Sequence, residues 1–101
     1  MGSKEVEFHD AASLEFEATF AWYLERSERA AIRFAGEVER AVISIADAPV
    51  RFTVGVSGTR RFLLKRFPFA IIYRELPAII QIVAVAHARR RPGYWKSRVQ
   101  E

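Results

Sequence analysis

The chain has 101 residues, of which 50% are hydrophobic and 28% charged, and this composition predicts a single globular domain. It contains no cysteine, which excludes a disulfide framework, a thiolate zinc site and a cysteine nucleophile. Its apolar runs are far shorter than the ~18 residues of a membrane span, and no basic-then-apolar segment opens the chain. We therefore expect a cytoplasmic protein that does not enter a membrane.

The charge is distributed unevenly along the chain. Residues 1–50 carry 5 basic and 10 acidic side chains, whereas residues 51–101 carry 11 basic and 2 acidic ones. The overall net charge of +4 therefore conceals a strongly basic second half. Such an asymmetry favours an anionic partner, either nucleic acid or an acidic protein segment.

The first half predicts a short strand at residues 6–8 and then two helices. Asp10 is the expected N-cap of a helix over residues 11–26, and Ser27 the N-cap of a second helix that ends at residues 47–49. The apolar face predicted for the first helix consists of Leu14, Ala18, Ala21 and Trp22, broadened by Phe16, Phe20, Tyr23 and Leu24. The stripe predicted for the second helix consists of Ala31, Ala35, Val38, Val42 and Ile45.

The second half predicts three strands, over residues 60–67, 70–75 and 79–86, joined by short turns at two prolines. Links this short produce an antiparallel meander. We therefore predict an α+β fold of order β-α-α-β-β-β, in which a helical hairpin packs on one face of a small, mainly antiparallel sheet. The basic, aromatic tail from Ala88 is expected to end in a helical turn near residues 95–99.

Basic residues occur in four groups of this second half: Arg60-Arg61, Lys65-Arg66, Arg74 and Arg89-Arg90-Arg91. Alternate side chains of a strand share one face, so Arg61 and Lys65 should lie on the open face of the sheet if Phe62 and Leu64 meet the helices. Each arginine alone is most simply explained as a solvated surface charge. The whole set has few acidic neighbours in sequence, and this favours an anion-binding surface formed by three strands and the tail.

Two aromatic residues and a histidine accompany these cations. Tyr94 and Trp95 could stack on exposed bases or could simply pin the tail onto the sheet; we favour pinning for Trp95 and leave Tyr94 open. His87 could contact a substrate or transfer a proton, although packing is the simpler interpretation, and His9 is expected to be structural. No cluster with metal-ligand spacing and no glycine-rich phosphate loop is present in the sequence, so neither a metal nor a cofactor is expected.

Taken together, these residues resemble the RelE/ParE superfamily of type II toxins over about residues 6–98. The segments that carry the resemblance are Val6-Glu7-Phe8-His9, the basic strand with its turn Phe67-Pro68-Phe69, the strand Ile71-Ile72-Tyr73-Arg74, and the ending His87-Ala88-Arg89-Arg90 with Pro92-Gly93-Tyr94-Trp95. The resemblance implies a cognate antitoxin whose acidic, partly disordered segment wraps the toxin. It also implies that toxin and antitoxin can assemble further.

The superfamily implies two activities. In members that cleave mRNA on the ribosome, sheet cations hold the phosphate and a C-terminal aromatic residue or histidine assists the 2′-hydroxyl chemistry. By position, the catalytic residues would be Lys65, Arg74, Arg89 and Tyr94. The anion-binding residues would be Arg61, Arg66, His87, Arg90 and Arg91.

The alternative is a ParE-like inhibitor of DNA gyrase without nuclease activity. A sheet with only one lysine, Lys65, and the ending His87-x-Arg89 are similar to gyrase-directed members. A third possibility is an inactive module that only binds its antitoxin. The sequence favours mRNA cleavage over these two alternatives.

Overall fold

The computed structural model describes residues 4–100 and confirms the predicted order of elements. The helices and strands are β1 (Glu5–Phe8), α1 (Asp10–Arg26), α2 (Glu28–Asp47), β2 (Arg60–Leu63), β3 (Phe69–Glu75) and β4 (Ile79–His87). Short 3-10 turns lie at Pro49–Arg51, Val56–Gly58 and Lys96–Val99. In the part of the chain that is described, no helix has the length and apolar character needed to cross a bilayer.

The four strands form one mixed sheet in the order β1-β4-β3-β2. Strands β2, β3 and β4 are antiparallel, as the short turns predict, whereas β1 lies parallel to β4. The helical hairpin carries the chain from β1 to β2 at the opposite edge of the sheet, and the meander then brings β4 back beside β1. Arg61 lies opposite Ile72 and Leu63 opposite Ala70 in the register of β2 and β3.

The two helices cover one face of this sheet. Ser27 caps α2 by accepting a hydrogen bond from the Ala30 N–H, as predicted. The N-cap of α1 is His9 rather than Asp10, because the His9 Nδ1 accepts from the Ala11 N–H and Asp10 already belongs to the first turn. The buried residues of α2 are Ala31, Phe34, Val38, Ala41 and Ile45. Ala31, Val38 and Ile45 were predicted correctly; Phe34 and Ala41 are buried in addition, whereas Ala35 and Val42 of the predicted stripe are only half-buried.

The central stripe predicted for α1 was wrong. Leu14 and Trp22 are 65% and 51% exposed, and Ala12 is the buried residue of this helix. Two residues of the broader predicted face, Phe16 and Tyr23, do pack against the core, where both rings contact Phe34. Apolar residues surround α1 almost completely, so periodicity does not select the buried side.

The opposite face of the sheet is covered by the C-terminal tail. Trp95 is buried there against small side chains of β3 and β4, among them Ala70, Ala84 and Ala86. The interpretation of Trp95 as a pin for the tail is therefore confirmed. The helices thus cover one face of the sheet, and the tail covers part of the other.

One strand is shorter than predicted. β2 ends at Leu63 instead of continuing to Phe67, because the Leu64 N–H already donates to the Phe69 carbonyl in a tight turn. Phe62 and Leu64 do pack on the helical side, as the alternation predicts, and Arg61 and Leu63 are exposed. Lys65 and Arg66 consequently lie in a turn and not on a strand.

Candidate functional site

A groove of about 690 Å³ lies on the tail side of the sheet. Its floor includes Arg61 and Leu63 of β2, with Ile72 of β3 beside them. The loop at residues 53–56 and the tail from Arg90 to Trp95 also line it. The groove is therefore bounded by segments that are distant in sequence and that only the fold brings together.

The charged residues that line this groove are basic. They are Arg60, Arg61, Arg90 and Arg91, and His87 lies with them. No acidic residue of the described chain, residues 4–100, lines the groove. Uncompensated arginines in a concave surface concentrate positive potential, so the groove suits an anionic partner. We call it the basic groove.

The basic groove also carries exposed apolar side chains. Leu63 is 63% exposed, and Val54 and Val56, which line the same groove, are about half exposed. Arginines beside apolar residues are typical of surfaces that bind proteins, whereas a site that binds only phosphate does not require apolar contacts.

Lys65 and Arg66 lie outside the basic groove, in the turn after β2. Both side chains are exposed, and their backbone N–H groups donate to the Glu37 Oε1 at 3.0 and 3.4 Å. Glu37 thus fixes the turn from α2 and places a carboxylate close to these cations. The structure does not bring Lys65 to the other residues predicted to be catalytic.

Arg74 is engaged within the protein. Its Nε donates to Gln81 Oε1 at 2.8 Å, and its Nη1 donates to the Val99 carbonyl at 3.0 Å. Arg74 therefore joins β3 and β4 to the tail and does not line the basic groove. The sequence predicted that Arg74 joins the anion-binding surface and did not predict its contact with the tail.

The end of β4 separates Arg89 from its neighbours. The Arg89 N–H donates to His87 Nδ1 at 2.9 Å, while the Arg89 side chain is exposed away from the basic groove. The ring of His87 lies edge-on to Phe69 with centroids 4.9 Å apart. Since Nδ1 accepts a hydrogen bond, the neutral ring carries its proton on Nε2.

Tyr94 is the only one of the four residues predicted to be catalytic that lines the groove, among the described residues. Its hydroxyl donates to Glu15 Oε2 at 2.7 Å, and the guanidinium of Arg90 lies 3.8 Å from the centre of its ring. Burial, together with the hydrogen bond and charge of Glu15, raises the pKa of Tyr94 well above its ordinary value. The Tyr94 hydroxyl therefore keeps its proton and its hydrogen bond to Glu15 at physiological pH.

Glu15 holds this arrangement and was missed by the sequence analysis. Its carboxylate accepts from Tyr94, from both terminal nitrogens of Arg98 and from the backbone N–H of Val85. Burial alone would raise the pKa of Glu15, but these hydrogen bonds outweigh it and hold the pKa below its ordinary value. The available signal was an acidic residue within the apolar pattern of α1, between Leu14 and Phe16.

A second, shallower groove of about 640 Å³ lies on the helical side, between α1 and α2. It is largely apolar, with Phe16, Val38 and Ile43 in its lining, and its charged residues are Glu17 and Glu39. The negative charge of this second groove would repel an anion. No group of three or more potential metal ligands occurs within residues 4–100.

Comparisons with known proteins agree with this architecture. A family model described as the ParE toxin of the type II toxin–antitoxin system parDE matches residues 6–92. A chain from the chromosomal ParDE system of P. aeruginosa has a TM-score of 0.75 at 18% identity, over 86% of this chain and 98% of that one. No curated protein sequence matches significantly.

A second solved structure is the free E. coli toxin RelE with two arginines replaced by alanine. Its TM-score is 0.64 at 10% identity, over 97% of this chain and 95% of that one. At these identities both structures establish a shared fold. The predicted fold class is thereby confirmed.

Proposed function

Because the chain belongs to the ParE toxin family of type II toxin–antitoxin systems, we propose that it arrests growth by binding DNA gyrase through the basic groove, without breaking a bond in nucleic acid. The observation that carries this proposal is the hydrogen bond of 2.7 Å between the Tyr94 hydroxyl and Glu15. The Tyr94 hydroxyl, predicted to take part in proton transfer, is already hydrogen-bonded within the protein, which favours a binding role for the groove over a catalytic one.

The composition of the groove supports a protein target. Arginine, with its planar group of donors, is frequent among the residues that dominate protein interfaces, and exposed leucine and valine add apolar contact. Arg61 and Leu63 are adjacent on the same face of β2. Such a surface fits an acidic patch with apolar residues on the enzyme. Gyrase as the target also agrees with a cytoplasmic location.

Cleavage of mRNA on the ribosome is the second candidate, and it was favoured by the sequence. In its support, His87 lies in the groove with Arg61, Arg90 and Arg91. Cleavage requires a base at the 2′-hydroxyl, cations on the phosphate and a donor at the leaving oxygen. Arginines could hold the phosphate and His87 could donate from Nε2, but a base would still be required. We therefore rank cleavage below inhibition.

The cognate antitoxin is the expected partner of a toxin in this family. We propose that an acidic segment of it covers the basic groove, because the other groove carries negative charge. Occupation of the basic groove would then exclude the target directly. Assembly of toxin and antitoxin into larger complexes stays a prediction.

The proposal is tested by a supercoiling assay with purified gyrase and toxin. We expect supercoiling to be lost and DNA that gyrase itself has cleaved to accumulate. Arg61→Gln and Arg91→Gln should each raise the toxin concentration for half inhibition by about fivefold, the equivalent of roughly 1 kcal/mol. The matched control is Arg29→Gln, which removes the same charge from an exposed position of α2.

Two outcomes separate the candidates. Gyrase that works normally in a large excess of toxin contradicts the proposal. Cleavage of ribosome-bound mRNA in a translation extract, abolished by His87→Gln, would establish the second candidate instead. An inactive module would affect neither assay and would still bind its antitoxin.

A further inference from the structure

The edge of β4 changes its partner where β1 ends. β1 pairs with β4 only as far as Phe8 opposite Ile82, although β4 continues to His87. Beyond that point the polar groups of the β4 backbone meet side chains. The Val85 N–H donates to Glu15, and the Val83 carbonyl accepts from Arg98 at 3.0 Å. This pair of side chains therefore occupies the place of a longer β1.

Glu15 joins the two faces of the molecule at this edge. It belongs to α1 on the helical face, whereas Arg98 and Tyr94 belong to the tail on the opposite face. The side chains of Glu15 and Arg98 are 17% and 15% exposed, so their contact is largely shielded from water. Shielding strengthens a charge-assisted hydrogen bond and makes its loss costly.

The tail that Glu15 holds is also a wall of the basic groove. Tyr94 and Trp95 line the groove, and the Arg90 guanidinium rests on the Tyr94 ring. Displacement of Tyr94 would therefore displace Arg90 as well. Glu15 itself does not line the groove.

We propose that Glu15 is a positioning residue for the basic groove: it binds the tail through Tyr94 and Arg98 and so sets the place of Arg90 in that groove. The inference rests on the proposed function of that groove.

The direction in which Glu15→Gln changes the inhibition of gyrase separates a positioning role from simple charge repulsion. A carboxylate beside an anion-binding groove opposes binding by repulsion, so its removal alone would improve binding. A positioning role predicts instead that removal of the Glu15 carboxylate weakens binding. Glu15→Gln should weaken inhibition by about tenfold, the equivalent of losing one charge-assisted hydrogen bond. The control is Glu25→Gln, which removes the same charge from an exposed position of α1.

A second measurement follows the tail without any target. Trp22→Phe leaves Trp95 as the single tryptophan, and Trp95 is 7% exposed in the docked tail. In that background, Glu15→Gln should shift the Trp95 emission to the red and make it accessible to a neutral quencher. Tyr94→Phe removes one of the hydrogen bonds, keeps the ring and should produce a smaller shift. This milder variant gives the answer if Glu15→Gln does not fold.

The inhibition assay and the Trp95 emission together show whether the proposed function or the positioning role of Glu15 fails. If the unaltered toxin does not inhibit gyrase, the proposed function fails, while the Trp95 emission still reports whether Glu15 holds the tail. If Glu15→Gln inhibits gyrase as well as or better than Glu25→Gln, or if Trp95 stays buried in both Glu15→Gln and Tyr94→Phe, the positioning role is overturned.

Discussion

Glu15 and Arg98 form a two-point ion pair across the edge of the sheet, with N–O distances of 3.0 and 2.8 Å. The residues are 83 positions apart in the chain. Both terminal nitrogens of the guanidinium are used, which is the geometry in which arginine binds a carboxylate best. This single contact links the first helix to the last turn of the chain.

The pair should contribute measurably to stability. Arg98→Met keeps much of the side-chain volume and removes the charge, and we expect the free energy of unfolding to fall by about 2 kcal/mol because Glu15 loses its main partner. Glu15→Gln should cost about 1–2 kcal/mol. Urea unfolding of both variants and of the double variant measures their coupling, which should be about 1 kcal/mol or more. Additive effects would show that the two residues act separately.

Stability should depend on pH through Glu15. Its pKa is lower in the folded protein than its ordinary value of 4.5, so the unfolded chain binds the proton more readily. The contribution of Glu15 is therefore complete above about pH 5 and is lost as the pH falls through the folded pKa. The groups that contact this carboxylate are Arg98, Tyr94 and the Val85 N–H, and none of these loses its proton in that range.

Unfolding of the wild type and of Glu15→Gln in urea, from pH 7 to pH 3, checks this expectation. The difference in stability should shrink as the pH decreases. A difference that stays constant down to pH 3 would mean that the charge of Glu15 contributes nothing.

The bend of the tail requires a glycine at position 93. Gly93 has a φ of +75°, and a Cβ there would lie 2.7 Å from the Lys96 Cε. The lysine can move aside, but the left-handed backbone remains strained with any larger residue. Gly93→Ala should lower the free energy of unfolding by about 1 kcal/mol. Thermal unfolding measures this, and an unchanged midpoint would contradict the proposed strain.

The glycine of α2 should behave in the opposite way. A Cβ at Gly36 would lie 3.2 Å from the Arg40 Nη1, which is the mobile end of a side chain on the surface. Gly36→Ala should therefore raise the free energy of unfolding by about 0.5–1 kcal/mol, because alanine restricts the unfolded chain. A loss of stability in the same assay would indicate that Arg40 cannot move away.

Much of the architecture followed from local patterns. The capping serine at position 27, the prolines of the two short turns and the alternation of Phe62 and Leu64 each act over a few residues, and each was confirmed. Sequence neighbours determine such features, so they can be predicted from the sequence. The buried side of α1 could not be predicted in this way, because apolar residues lie on most of its surface and only contact with Phe34 and β4 selects one side.

The candidate site, like the fold, could be predicted only in part from the sequence. That the second half is basic, with Arg61, Arg90 and Arg91 among its cations, is a property of the sequence alone, and these residues do meet with His87 in one groove. Which cations stay available was decided by the tertiary structure. Arg74 meets the Val99 carbonyl, and Tyr94 meets a carboxylate 79 residues away. Hydrogen bonds between distant segments arise only when the chain is packed, and no pattern along the sequence records them.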